Sequence, residues 1–208
     1  MLYLVRHGQT EANAAGLIQG QADFDLTDLG RRQADALAAA LPHDAAVIAS
    51  PLRRALLTAA PIAGDRPVTI DARWIEMNFG DLDGRTVDDV RDLLWTSWAQ
   101  DLDWAPPGGG ESLASVHARV NEACEELAPA FATGDVIVVT HVSPIKAAVA
   151  WALGADPLVA HRMFVEQASV ATVMLSRDNG RPVLRAFNDL SATSLLGPGT
   201  GGRAGSAG

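Results

Sequence analysis

The stretch Val136–Gly154, VIVVTHVSPIKAAVAWALG, sets two patterns back to back. Val136–Val139 is an unbroken apolar run of β-branched residues, as expected of a strand covered on both faces and central in its sheet. Ser143-Pro144 then opens a helix that carries Ile145, Ala148, Val149, Ala152 and Leu153 at i, i+3, i+4, i+7 and i+8, with Gly154 just past its end. A buried strand running into an amphipathic helix is the repeating unit of an α/β fold.

Working outward, Val- and Ile-rich runs at Leu2–Val5, Ala45–Ala49, Val68–Ile70 and Val170–Leu175 read as further strands. Thr27 caps a helical segment running to about Leu41, and Ser50-Pro51 opens another with proline at the first helical position, where its missing N–H costs nothing. Asn179-Gly180, between Val170–Leu175 and Pro182–Phe187, is a hairpin signal. The expected fold is therefore α/β: a three-layer α/β/α sandwich with a mainly parallel central sheet and one antiparallel edge strand. Residues 1–192 form the domain and 193–208, rich in glycine, a flexible C-terminal tail. Two stretches interrupt the rhythm: the polar loop Thr10–Thr27, and a region bearing Trp95, Trp98 and Trp104 that ends in Pro106-Pro107-Gly108-Gly109-Gly110.

The chain has 208 residues, 48% of them apolar, enough for one core without disulfides or metal staples. Its single cysteine, Cys124, shares an apolar stripe with Val116, Val120 and Leu127 and is expected to pack rather than react, which fits a reducing compartment. No leader pattern or membrane-length apolar stretch is visible, so the cytoplasm is the expected location. A net charge of −9 disfavours nucleic acid and anionic membranes as partners. The expected partner is a small molecule, and the sequence assigns no oligomeric state.

Ionisable groups recur just after the strands. Arg6-His7-Gly8 follows the first, Ser50-Pro51-Leu52-Arg53-Arg54-Ala55 the second, Glu76 the third, and Thr140-His141 follows Val136–Val139. Open α/β sheets bind ligands at the carboxyl ends of their strands. Arg6 and Arg54 are suited to grip phosphate oxygens with planar forks. His141 adds a donor beside a helix N-terminus. Neighbouring arginines keep the His7 imidazole neutral and its lone pair free for attack on phosphorus. Glu76 is placed to protonate a leaving oxygen.

These motifs, with Trp74-Ile75-Glu76-Met77-Asn78-Phe79-Gly80, resemble the histidine phosphatase (phosphoglycerate mutase-like) superfamily over roughly residues 1–190. The resemblance implies that His7 is the phosphohistidine nucleophile, that Arg6, Arg54 and His141 hold the phosphate, that Glu76 is the proton donor and that Asn13 joins the phosphate pocket. Gln19 and Gly20 fall in the same loop and are carried as substrate-binding candidates. No metal and no dissociable cofactor is implied, and the implied substrate is a small phosphate monoester.

Two other readings stay open. A cofactor-dependent phosphoglycerate mutase fits less well: Phe79 stands in place of a tyrosine, only 64 residues separate Glu76 from His141, and Thr140-His141-Val142-Ser143-Pro144-Ile145-Lys146 resembles the phosphatase branch. A catalytically inactive phosphate-binding module would need neither nucleophile nor acid. Leu17 stands where many relatives carry arginine, so no basic role is assigned to it. His43, His117 and His161 read as surface or structural residues, Trp74 and Trp151 as core, and Ser112 as a helix cap. A mouth rimmed by tryptophan without clustered lysines suggests an apolar or sugar-like leaving group.

Overall fold

The computed structural model describes residues 1–196. Its strands are β1 (Leu2–Arg6), β2 (Ala46–Ala49), β3 (Val68–Ile70), β4 (Val136–Thr140), β5 (Val170–Leu175) and β6 (Pro182–Asp189). Its α-helices are α1 (Glu11–Ala14), α2 (Asp28–Ala40), α3 (Arg53–Ala63), α4 (Val87–Gln100), α5 (Leu113–Thr133) and α6 (Val142–Leu153). The strands form one six-stranded sheet in the order β3-β2-β4-β1-β5-β6. β4, whose five residues are all buried, lies between β2 and β1 with parallel partners on both sides, as its unbroken apolar run requires.

Pleating divides the side chains between two cores. Leu2, Leu4, Val136, Val138, Ala171 and Val173 meet α5 and α6 on one face. Val5, Val47, Ala49, Ile137, Val139 and Val170 meet α2 and α3 on the other. The α/β/α expectation holds. Within the hairpin, β5 is the strand that runs against the rest and β6 forms the outer edge. Cys124, Val116 and Val120 are fully buried under the sheet, and Trp74 is sealed in the same core.

Three local expectations are corrected. The helix expected from Ser50-Pro51 begins instead at Arg53, because the Ser50 hydroxyl accepts the Leu52 N–H at 3.3 Å and meets His141 Nε2 at 2.7 Å, so residues 50–52 form a turn. α6 begins at Val142, one residue early, and its first N–H groups are capped by the distant Glu76 carboxylate rather than by Ser143. Of the expected tail, residues 193–196 are ordered: Thr193 is buried and Ser194–Leu196 form a 3-10 turn, while 197–208 lie outside the described residues. The loop Thr10–Thr27 also contains α1, closed by a capping box between Thr10 and Asn13. Among the described residues no helix is long and apolar enough to cross a membrane.

Register positions the site. Arg6 pairs with Thr140 across β1 and β4, and Ala49 pairs with Val139 across β2 and β4. His7, His141 and Ser50, the next residue on each strand, therefore emerge side by side at the carboxyl edge. α4 and a 3-10 segment, Pro157–Arg162, lie across this end and wall a cavity of about 240 Å³.

Candidate active site

The turn that presents His7 depends on close backbone approach. The peptide after β1 meets the start of α2 so tightly that a Cβ on Gly8 would lie 2.4 Å from the Gly30 carbonyl oxygen, and one on Gly30 would lie 2.1 Å from that of Gln9. Neither position has room for a side chain, which gives the glycine of Arg6-His7-Gly8 a steric reason. The Gly8 N–H donates to Thr58 Oγ1 at 3.0 Å, and that hydroxyl donates to the Arg54 carbonyl at 2.8 Å. The chain bearing His7 is thus fastened to the first turns of the helix bearing Arg54.

His7 and His141 stand with ring centroids 5.1 Å apart, and the Arg54 guanidinium joins them. Its Nε–H is shared between His7 Nε2 and His141 Nδ1, each at 3.2 Å. His7 Nδ1 lies 2.8 Å from the Gly8 carbonyl, so the network assigns the proton to Nδ1 and the lone pair to Nε2. By the same logic His141 carries its proton on Nε2, facing Ser50 Oγ at 2.7 Å. Burial, then Arg54, then neighbouring positive charge hold both imidazoles well below the ordinary histidine pKa, so both are neutral. A neutral imidazole with its lone pair directed away from the backbone is what nucleophilic attack needs.

Arg54 is completely buried, and burial lowers its pKa to about 10. Its Nη2 donates to the Gly20 carbonyl at 2.6 Å and its Nη1 to that of Ala22 at 2.9 Å, so the same side chain clamps the loop over the site. Asp83 completes the clamp by accepting the Gly20 N–H at 2.9 Å. Arg6, also buried and lowered to about 10, donates through Nη1 to the Val165 carbonyl at 2.6 Å and leaves its Nε without a partner.

Glu76 is placed by the segment after β3. Thr140 Oγ1 donates to the Trp74 carbonyl at 2.5 Å, tying that segment to the end of β4. The carboxylate then accepts the backbone N–H groups of Met77, Val142 and Ser143 at 2.8, 3.1 and 3.2 Å, standing at the positive end of α6 beside His141.

The structure brings Arg6, His7, Asn13, Gln19 and Glu76 onto the cavity wall, with Arg54 and His141 directly behind His7. Asn13 is held through its Oδ1 by the Thr10 N–H at 3.2 Å, and among the described residues its amide NH2 has no partner. Gln19 accepts the Thr10 hydroxyl at 2.7 Å and leaves Nε2 buried and unpaired. Gly20 is outside the residues that line the cavity: its N–H donates to Asp83 and its carbonyl accepts from Arg54, so it anchors the loop that carries Gln19. Trp95 and Trp98 line the cavity, whereas Trp104 backs Trp98 at 6.4 Å between centroids. His161, read from sequence as structural, is on the wall, edge-on to Trp95 at 4.1 Å. Lys146 joins it there. Its spacing of four from Val142 on α6 was the available signal, since i and i+4 share a helix face.

A family model for the histidine phosphatase superfamily (branch 1) matches residues 2–190. The chain belongs to the histidine phosphatase superfamily. It is 41% identical over 207 residues to a glucosyl-3-phosphoglycerate phosphatase of Mycolicibacterium vanbaalenii, covering 94% of this chain and 84% of that one. It is 37% identical over 161 residues to a metal-independent phosphoserine phosphatase of Arabidopsis thaliana, covering 70% and 66%. Phosphoserine phosphatase of Entamoeba histolytica, solved with 3-phosphoglyceric acid, superposes with a TM-score of 0.83 at 30% identity, covering 92% and 98%. This histidine phosphatase is a phosphoric monoester hydrolase, as these relatives are.

Proposed function

We infer that the chain hydrolyses small phosphate monoesters by two in-line transfers through His7. In the first, which Glu76 enters in its protonated form, His7 Nε2 forms a bond to phosphorus as the ester P–O bond breaks, and Glu76 gives its proton to the departing oxygen. In the second, water oxygen bonds to phosphorus as the N–P bond breaks, and Glu76 takes the water proton. Arg6 holds the transferring group with the Asn13 and Gln19 amides as further donors, Arg54 joins as its Nε–H turns from His7 Nε2 to the phosphate, and His141 does so in the tautomer that carries its proton on Nδ1. The observation that carries this reading is the fixed His7 tautomer: Nδ1–H occupied by the Gly8 carbonyl, and Nε2 beside the Arg54 guanidinium. The buried thiol of Cys124, whose pKa burial pushes up, fits a reducing cytoplasmic setting.

The test is hydrolysis of p-nitrophenyl phosphate and glycerol 3-phosphate in EDTA by the wild type, His7→Ala and Glu76→Gln, with alkaline quenching to trap N-phosphorylated enzyme. His7→Ala is expected to abolish both activities and the trapped phosphate. Loss of the acid should cost about 10²- to 10⁴-fold on the alkyl ester, and less on the aryl ester, whose leaving group departs unprotonated. Retention of a tenth of the activity by His7→Ala overturns the assignment.

A further inference from the structure

We propose that Lys146 is a specificity-determining residue that pairs with a carboxylate carried by the substrate beside its phosphate ester, seating that carboxylate between the phosphate pocket and Trp95. The proposal rests on the phosphatase reading of the same cavity and names the class of ester it takes.

The sequence singles this residue out. Lys146 is the only lysine in the chain; every other basic side chain among its 16 is arginine. On the surface the two are often interchangeable, but in a small cavity an ammonium is a compact point charge with rotatable donors, whereas a guanidinium is a broad planar fork. The single lysine stands on the cavity wall, one helical turn after Val142.

Its surroundings leave the charge unanswered. Nζ lies 5.8 Å from the centre of the Trp95 ring and, among the described residues, makes no hydrogen bond or ion pair. Burial lowers its pKa to about 8, with Glu76 opposing that shift and Arg6 reinforcing it. Glu76 is already engaged by three backbone N–H groups. His161, which also faces this corner, is pushed down by burial and by Lys146 itself. Its Nε2 is buried without a partner, as is the indole N–H of Trp98.

A desolvated cation on a cavity wall that also carries the unpaired indole N–H of Trp98 favours an anion there. A carboxylate fits it better than a second phosphate. Among the described residues the other cations on this wall are Arg6, assigned to the phosphate, and Arg91, paired with Asp88 at 2.8 Å, so Lys146 offers one positive charge to one negative charge on a wall that also carries Trp95, Trp98 and Leu94.

A matched pair of substrates tests this. 3-Phosphoglycerate and glycerol 3-phosphate differ in whether a carboxylate or a hydroxymethyl group lies across from the ester. The wild type is expected to prefer the acid, and Lys146→Met to reduce that preference in kcat/KM about 10- to 100-fold, chiefly through KM. Lys146→Arg should restore part of it. An unchanged preference in Lys146→Met overturns the proposal, while His7-dependent hydrolysis of p-nitrophenyl phosphate shows separately whether the phosphatase reading stands.

Should neither substrate turn over, the lone lysine supplies a second readout. Reductive ¹³C-methylation labels only Lys146 and the N-terminal amine, and keeps their charge. In His7→Ala, 3-phosphoglycerate is expected to shift the dimethyl-lysine signal and raise its titration midpoint, and glycerol 3-phosphate to do neither. Equal responses to the two compounds, or none, also overturn the proposal.

Discussion

Acidification should destabilise this protein through two buried histidines. His7 and His141 are 3% and 0% exposed and are held neutral by burial and two arginines. In the unfolded chain each has an ordinary pKa near 6.5, so below that pH the unfolded state takes up protons that the folded state refuses. The stability from keeping these rings neutral is therefore fully present above pH 6.5 and falls with pH below it. The unfolded-state titration alone sets the ceiling: each ring costs at most about 2 kcal/mol between pH 8 and pH 5, and the pair at most about 4 kcal/mol, out of a typical 5–15 kcal/mol for a domain. The window stops at pH 5 because ordinary carboxylates begin to titrate below it. Urea unfolding followed by tryptophan fluorescence at pH 8.0, 6.5 and 5.0 reads the loss directly. His7→Gln/His141→Gln should remove up to about 4 kcal/mol of the pH dependence, and either single variant about half of what the pair removes. His117 and His161, also lowered by burial, contribute equally to wild type and variants and cancel. If the double variant and the wild type lose stability with pH in parallel, to within about 1 kcal/mol, the buried imidazoles are not neutral and the reasoning is refuted.

Gly8→Ala forces a Cβ to within 2.4 Å of the Gly30 carbonyl oxygen, so backbone must move. A loss of about 2–3 kcal/mol or more is expected in urea unfolding, together with a fall in kcat as His7 leaves its register with Arg54. Arg54→Lys keeps the charge but cannot reproduce the bonds to His7, His141, Gly20 and Ala22 together. Activity on p-nitrophenyl phosphate should fall about 10²- to 10³-fold, and limited proteolysis should cut more readily near residues 19–22.

The strands, the central place of β4 and the grouping of His7, Arg54, Glu76 and His141 were legible because each rests on local pattern or on the rule that α/β ligands sit at carboxyl strand ends. What escaped was non-local. Ser50 looked like a helix cap, but its hydroxyl meets the imidazole of His141, 91 residues away, which no window around residue 50 contains. Ser143 looked like the cap of α6, yet Glu76 performs that task from another loop. Lys146 shares a face of α6 with Val142, but that it meets His161 and Trp95 follows only from α4 and the segment Pro157–Arg162 folding across the same end of the sheet; no spacing between 95, 146 and 161 announces it. The expected absence of clustered lysines was accurate as a count. It hid the position of the only one.

The direction in which burial and pairing move each cation separates the roles that arginine plays here. Arg73 bonds to Asp71 and Glu126, and these partners raise its pKa above the ordinary arginine value, as expected of a side chain whose charge is matched by structure. Arg6, Arg54 and Lys146 are all lowered, with burial as the largest cause in each. A chain of net charge −9 has ample carboxylates with which to pair three cations, yet among the described residues the only one on this cavity wall is Glu76, already held by three N–H groups, and Glu166, Asp23 and Asp83 raise Arg6 or Arg54 without outweighing burial. Cations left unmatched where matching was easy cost stability that a bound anion returns. That is how an acidic protein admits a phosphate ester against its overall field: the attraction is concentrated inside a desolvated pocket, where charge acts at short range and solvent screens it little.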